Sequence, residues 1–66
     1  MNKTEIIVGA KLKCVSDSYD FVKKGDIVKV ELIDCAPYRS QRCVKFEGIG
    51  SLSYIDNVAR CFELVT

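Results

Sequence analysis

The alternation of apolar and polar residues limits most strongly how this chain folds, because a period of two is that of a strand with one buried face. Five short segments show it: 11–15, 27–33, 43–47, 61–65 and, more weakly, 52–55. The residues expected to point inward are Leu12, Cys14, Val28, Val30, Leu32, Val44, Phe46, Phe62 and Leu64. We therefore predict one all-β domain over residues 1–66, with these side chains meeting in a single core.

The connections complete this picture. A long loop, 16–25, ends at Gly25, which can supply the positive φ of a tight turn. The second connection, 36–41, contains Pro37, which cannot donate to a strand ladder. A turn at 48–50 follows, and residues 56–60 are expected to form a short helical turn capped by Asp56 or Asn57. This order predicts a small five-stranded barrel with a helical turn before the last strand.

Four segments carry a family resemblance: 9–15, 22–30, 44–48 and 59–65. A first strand ending in Cys14, a Lys-x-Gly-x turn around Gly25 and a closing Phe-Glu-Leu-Val resemble small SH3-like barrel proteins of bacteriophages and mobile elements. Cys61, the longer loop around Pro37 and the lack of tryptophan depart from that pattern. The resemblance implies an SH3-like barrel and a phage-type accessory protein.

Composition limits the classes of protein to which this chain can belong. An apolar fraction of 48% is that of a globular domain. Ten basic against nine acidic residues give a net charge of +1, without the cationic surplus of a strongly basic nucleic-acid binder. No apolar run approaches the ~20 residues of a membrane helix, and the first residues are too short for a signal-peptide core. We expect a cytoplasmic protein, in the host cell if it is phage-encoded.

The four cysteines are separated by 20, 7 and 17 residues, without the close pairs typical of structural zinc sites or redox motifs. We therefore expect no metal. Disulfides between Cys14 and Cys61 or between Cys35 and Cys43 stay open, since first and last strands should be neighbours and a hairpin would bring the second pair together. In a reducing compartment the simpler expectation is that all four thiols act as small apolar side chains.

Catalysis is not expected. The chain lacks histidine, the commonest general base. Asp17 and Asp20 are close in the long loop, but loop aspartates usually satisfy local backbone donors. No phosphate-binding glycine motif is present, and we expect no cofactor.

Two surfaces remain for binding. The first is aromatic: Tyr19 and Phe21 lie in the long loop, where peptide-binding SH3 domains carry an aromatic-acidic motif. Together with Tyr38, Arg39 and Tyr54 they form the predicted partner-binding surface, and Tyr38 with Arg39 is the strongest single contact prediction. The alternative interpretation is that these rings plug the end of a small barrel.

The second surface is basic. Lys11, Lys13, Lys29 and Lys45 have outward parity on neighbouring strands, and with Arg39 and Arg42 they form a candidate strip for a phosphate backbone. Glu31 and Glu47 share that face and dilute its charge. An ordinary solvated surface is the alternative.

Our hypothesis is a non-enzymatic protein-binding module, a phage-type protein that modulates or inhibits a host protein or complex. The alternatives are a nucleic-acid-binding small barrel and, less well supported, an oligomer that sequesters a nucleotide-like signal. A homo-oligomer could form through an N-terminal edge, because residues 6–8 either add an edge strand or pair with another chain.

Overall fold

The computed structural model describes residues 1–35 and 42–65. Five strands form one antiparallel sheet in the order β4-β3-β2-β1-β5. Their bounds are Lys11–Cys14 (β1), Ile27–Cys35 (β2), Arg42–Phe46 (β3), Leu52–Tyr54 (β4) and Phe62–Val65 (β5). A short helix, Ile55–Cys61 (α1), joins β4 to β5, and a single 3₁₀ turn, Lys3–Glu5, precedes β1. The all-β prediction with one helical turn before the last strand is confirmed at this level.

The sheet is open in the described part of the chain, because β4 and β5 form its two edges and do not pair with each other. Strand β1 pairs with both β2 and β5, whereas β3 joins β2 to β4. The closed barrel expected from the pattern is therefore not observed as a continuous ladder. What the structure has is a five-stranded sheet with α1 packed against it.

Most of the predicted inward positions are buried. Leu12, Cys14, Val30, Val44, Phe46 and Phe62 each expose 1% or less of their surface. Ile6, Val22, Ile55 and Val58 complete the same cluster, with Val28 packed partly buried against it. Ile55 and Val58 are three residues apart on α1, and this spacing puts both on the face that meets the sheet.

Leu32 is a wrong prediction, and a β-bulge explains it. The pairing of β2 with β3 shifts between Val30 and Leu32, so that Leu32 lies opposite Lys45 and Ile33 lies opposite Val44. One extra residue in a strand turns every following side chain to the other face. Ile33 therefore packs against the core, and Leu32 is 38% exposed.

Leu64 is also more exposed than predicted. It lies opposite Leu12, on the inner face, but β5 is an edge strand and 36% of the side chain is exposed. The predicted caps of the helical turn are wrong as well. Helix α1 begins one residue earlier, its N-cap is Tyr54, and that residue makes no side-chain capping bond.

Residues 6–8 do not form a strand. Ile6 is buried in the core, whereas Ile7 and Val8 lie in a turn and expose about 60% of their surface. Among the described residues, the longest helix is α1 with seven residues, and no helix meets the length and apolarity needed to cross a bilayer.

Candidate functional site

The long loop between β1 and β2 is tied down at its base. The amide of Cys14 donates to the carbonyl of Asp26 (2.9 Å), and the amide of Gly25 donates back to the carbonyl of Cys14 (2.7 Å). Gly25 has φ +95°, as the sequence predicted. The buried thiol of Cys14 faces the carbonyls of Ser16 (3.4 Å) and Val22 (3.8 Å). The two ends of the loop are thus held against the sheet.

Tyr19 anchors the middle of this loop. Its ring meets Phe62 edge-on at a centroid distance of 4.9 Å, and Phe62 lies 5.1 Å from Phe46 in the core. Its hydroxyl hydrogen-bonds the hydroxyl of Ser53 on β4. Burial raises the pKa of Tyr19 because it disfavours the phenolate, and the Ser53 bond opposes that rise. Tyr19 therefore connects the loop to both the core and an edge strand.

A cleft of about 480 Å³ lies where this loop meets β4 and α1. Tyr19 and Phe21 line it from the loop, and Leu52 and Tyr54 line it from β4. Asn57, Arg60 and Cys61 line it from α1, while Ser16, Ser18, Asp20 and Ser53 add polar groups. Its volume is within the range of small-ligand and side-chain pockets, about 300–1,000 Å³.

The structure brings together three of the predicted partner-binding residues. Tyr19, Phe21 and Tyr54 line the same cleft, although 32 residues lie between Phe21 and Tyr54 in the chain. Phe21 is 53% exposed and Tyr54 is 42% exposed, whereas Tyr19 is half-buried. Tyr38 and Arg39 lie outside the described residues, so that contact stays a prediction.

The contribution of α1 to the cleft was not predicted from the sequence. Asn57 and Arg60 are one helical turn apart and lie on the cleft side, with the Asn57 amide oxygen accepting a hydrogen bond from the Arg60 guanidinium. The signal available was their spacing of three, opposite to the buried pair Ile55 and Val58. The sequence predicts both residues to lie in a helical turn, with Asn57 as one of two possible caps.

The lysines of the basic strip are spread over the sheet. Lys11 lies directly opposite Lys29 in the β1–β2 ladder, and Lys13 is exposed on the same strand as Lys11. Lys29 pairs with Glu47 (3.7 Å), and Lys45 pairs with Glu31 (3.0 Å). Arg42, at the start of β3, is exposed. Carboxylates thus offset two of the four lysines, as the shared parity of Glu31 and Glu47 indicated.

The thiols take different positions. Cys14 is buried, Cys61 is half-buried beside the cleft, and both are free thiols. In the backbone register of the β2–β3 ladder, Asp34 rather than Cys35 lies opposite Cys43. Within residues 1–35 and 42–65, no three Cys, Asp or Glu side chains gather as metal ligands would.

Comparison of the chain with protein-family models, with curated proteins and with solved structures found no match. The cleft combines exposed aromatic rings, hydroxyl groups and one guanidinium in a concave surface.

Proposed function

We propose that this chain is a non-enzymatic protein-binding module of SH3-like architecture, and that it binds its partner in the cleft between the long loop, β4 and α1. The observation that supports this most is the meeting of Phe21, Leu52 and Tyr54, each about half exposed, around one concavity. Exposed aromatic side chains at a concave surface are typical anchors of protein interfaces.

The SH3-like assignment is supported by element order. A long loop follows β1, a register shift interrupts the β2–β3 ladder, and a short helix separates β4 from β5. Together with the resemblance of the sequence to small barrels of phages and mobile elements, this favours an accessory protein that acts in a host cytoplasm. Such a module would work sterically, covering a surface of a host protein or holding it in one conformation.

Affinity capture with matched variants tests this proposal. The full chain is immobilised and exposed to bacterial lysate, alongside Phe21→Ser, Leu52→Ser and Val8→Ser. Phe21 and Leu52 line the cleft, whereas Val8 is equally apolar and exposed but lies in the turn before β1. We expect wild type and Val8→Ser to retain the same protein and both cleft variants to lose it. Identical retention by all four proteins, or by none, would contradict the proposal.

A nucleic-acid-binding barrel is the second candidate, favoured by one observation. Lys11 and Lys29 are directly opposite each other, and because only Lys29 is paired with a carboxylate among the described residues (Glu47, 3.7 Å), an anion would relieve the remaining like-charge repulsion. Lys13 extends this positive surface along β1. Retention on a DNA or RNA column that weakens steeply with salt and is lost in Lys11→Gln/Lys13→Gln would support it. No retention at low salt would remove it.

A further inference from the structure

The charge within the cleft indicates which partner chemistry fits it. Arg60 is exposed, and its guanidinium bonds the neutral amide of Asn57. Asp56 is the other charged side chain of α1, and its carboxylate is engaged by Lys3 at 2.8 Å. In the described part of the chain, the three ion pairs do not include Arg60. Its positive charge is therefore not offset by a contacting carboxylate there.

Asn57 also orients this guanidinium. Arg60 and Asn57 are three residues apart on α1, so the amide holds the arginine head from the preceding turn. A guanidinium has five N–H donors in a planar fork, and one neutral acceptor leaves most of them available. The planar acceptor that matches such a fork is a carboxylate, which binds it through two parallel hydrogen bonds.

Asp20 is the one acidic side chain that lines the cleft, and its negative charge must be compared with the positive charge of Arg60. It also lines a neighbouring groove of the long loop, which contains Asp17, Lys23 and Lys24. Two carboxylates and two ammonium groups therefore share that stretch of loop, and its charge sums to zero. The groove beside α1 contains Lys3, Asp56 and Arg60, whose charges sum to +1. The cleft lining itself carries one carboxylate, Asp20, and one guanidinium, Arg60, so the charge left over around the cleft is positive and lies on the α1 side.

The apolar part of the cleft lies between these walls. Phe21, Leu52 and Tyr54 are large hydrophobic residues, yet 53%, 47% and 42% of their surfaces are exposed. Together with Arg60 they line the same cleft, and its volume of about 480 Å³ accommodates an apolar side chain of a partner.

We propose that the cleft receives a short acidic segment of a partner protein. An Asp or Glu carboxylate of that segment pairs with Arg60, and a neighbouring apolar side chain packs on Phe21 and Leu52. This inference rests on the proposed function and specifies its partner: a segment with an acidic and an apolar side chain close together.

The test uses the full chain and a display library of random short peptides as the probe. We expect the selected peptides to share Asp or Glu next to an apolar residue. For one such peptide, fluorescence anisotropy then gives the dissociation constant of the acidic form and of its Asn or Gln counterpart. Each form is measured with wild type, Arg60→Gln and Arg60→Lys.

A charge-assisted hydrogen bond predicts that neutralising the peptide's carboxylate weakens binding to wild type about tenfold to hundredfold. With Arg60→Gln the same neutralisation should have almost no effect, since the two changes remove one interaction. Arg60→Lys should recover part of the loss, because it keeps the charge without the fork. As a control, each variant is unfolded in urea, and a midpoint equal to that of wild type shows that its fold is intact.

Other results overturn the inference. Selected peptides without acidic residues, binding unaffected by Arg60→Gln, or basic peptides whose binding depends on Asp20 would each do so. An empty selection also overturns it. If protein capture from lysate still depends on Phe21 and Leu52 in that case, the proposed function stands and only the acidic-segment inference fails.

Discussion

Replacing Phe62 by alanine tests how the core and the cleft depend on each other. Phe62 is 1% exposed and contacts the rings of Phe46 and Tyr19 at centroid distances of 5.1 and 4.9 Å. Truncating a buried phenylalanine costs about 3–5 kcal/mol, the lost transfer energy plus the cavity. The free energy of unfolding of a chain of this length is roughly 3–10 kcal/mol. We therefore expect Phe62→Ala to lose much or all of its stability.

Leu64→Ala is the matched control, because period-two alternation puts both residues on the inner face of β5. Leu64 is 36% exposed at the sheet edge, so its truncation should cost only about 1.5 kcal/mol, near 0.8 kcal/mol for each buried methylene. Urea unfolding followed by far-UV circular dichroism measures both. If Phe62→Ala is unfolded without urea, Phe62→Leu replaces it and should lose about 1–3 kcal/mol through its two aromatic contacts. Equal destabilisation by Phe62→Ala and Leu64→Ala would refute the burial pattern described here.

Three further predictions concern the bulge, a turn and a titrating group. In urea unfolding, Ile33→Ala should destabilise the chain more than Leu32→Ala, because the bulge turns Ile33 toward the core. The reverse order would mean that no bulge exists in solution. Gly25→Ala should lower the free energy of unfolding by about 1 kcal/mol, because Gly25 has a φ of +95°. Gly50 has no positive φ and open space around it, so Gly50→Ala should be neutral or slightly stabilising. Equal changes in stability for the two variants would exclude a left-handed conformation of Gly25. Burial raises the pKa of Tyr19, so the neutral phenol stabilises the folded chain fully below its unfolded pKa of about 10, and this stabilisation is lost as pH rises through the folded pKa. Above about pH 10 the urea midpoint of wild type should therefore fall more steeply than that of Tyr19→Phe. Parallel curves for the two proteins would contradict this.

Much of the fold follows from alternation alone. Leu12, Val44 and Phe46 are buried as predicted, because each lies in a regular stretch of ladder where parity decides the face. Leu32 fails because a bulge has no reliable signal in a single sequence. Leu64 fails for another reason: parity gives the face of a residue, but not whether the strand is at the edge of the sheet.

The candidate site could be predicted only in part. Tyr19 and Phe21 were recognisable from their place in the long loop, whereas the role of Tyr19 as an anchor depends on Ser53, which is 34 residues away. Arg60 was not predicted as a binding residue, because the ion pairing around it depends on a long-range contact. Lys3 reaches Asp56 from the other end of the chain and leaves Arg60 without that carboxylate. Such charge balances between distant segments cannot be read from local periodicity.

The cleft, and with it the proposed binding of a partner, exists only if the long loop docks on β4 and the core. Two-dimensional nuclear Overhauser spectroscopy of the isotope-labelled chain measures it directly. We predict cross-peaks between the ring protons of Tyr19 and those of Phe62, and between Tyr19 and the β protons of Ser53. If Tyr19 shows cross-peaks only to its neighbours in sequence, the loop does not dock, no cleft forms, and the account is contradicted.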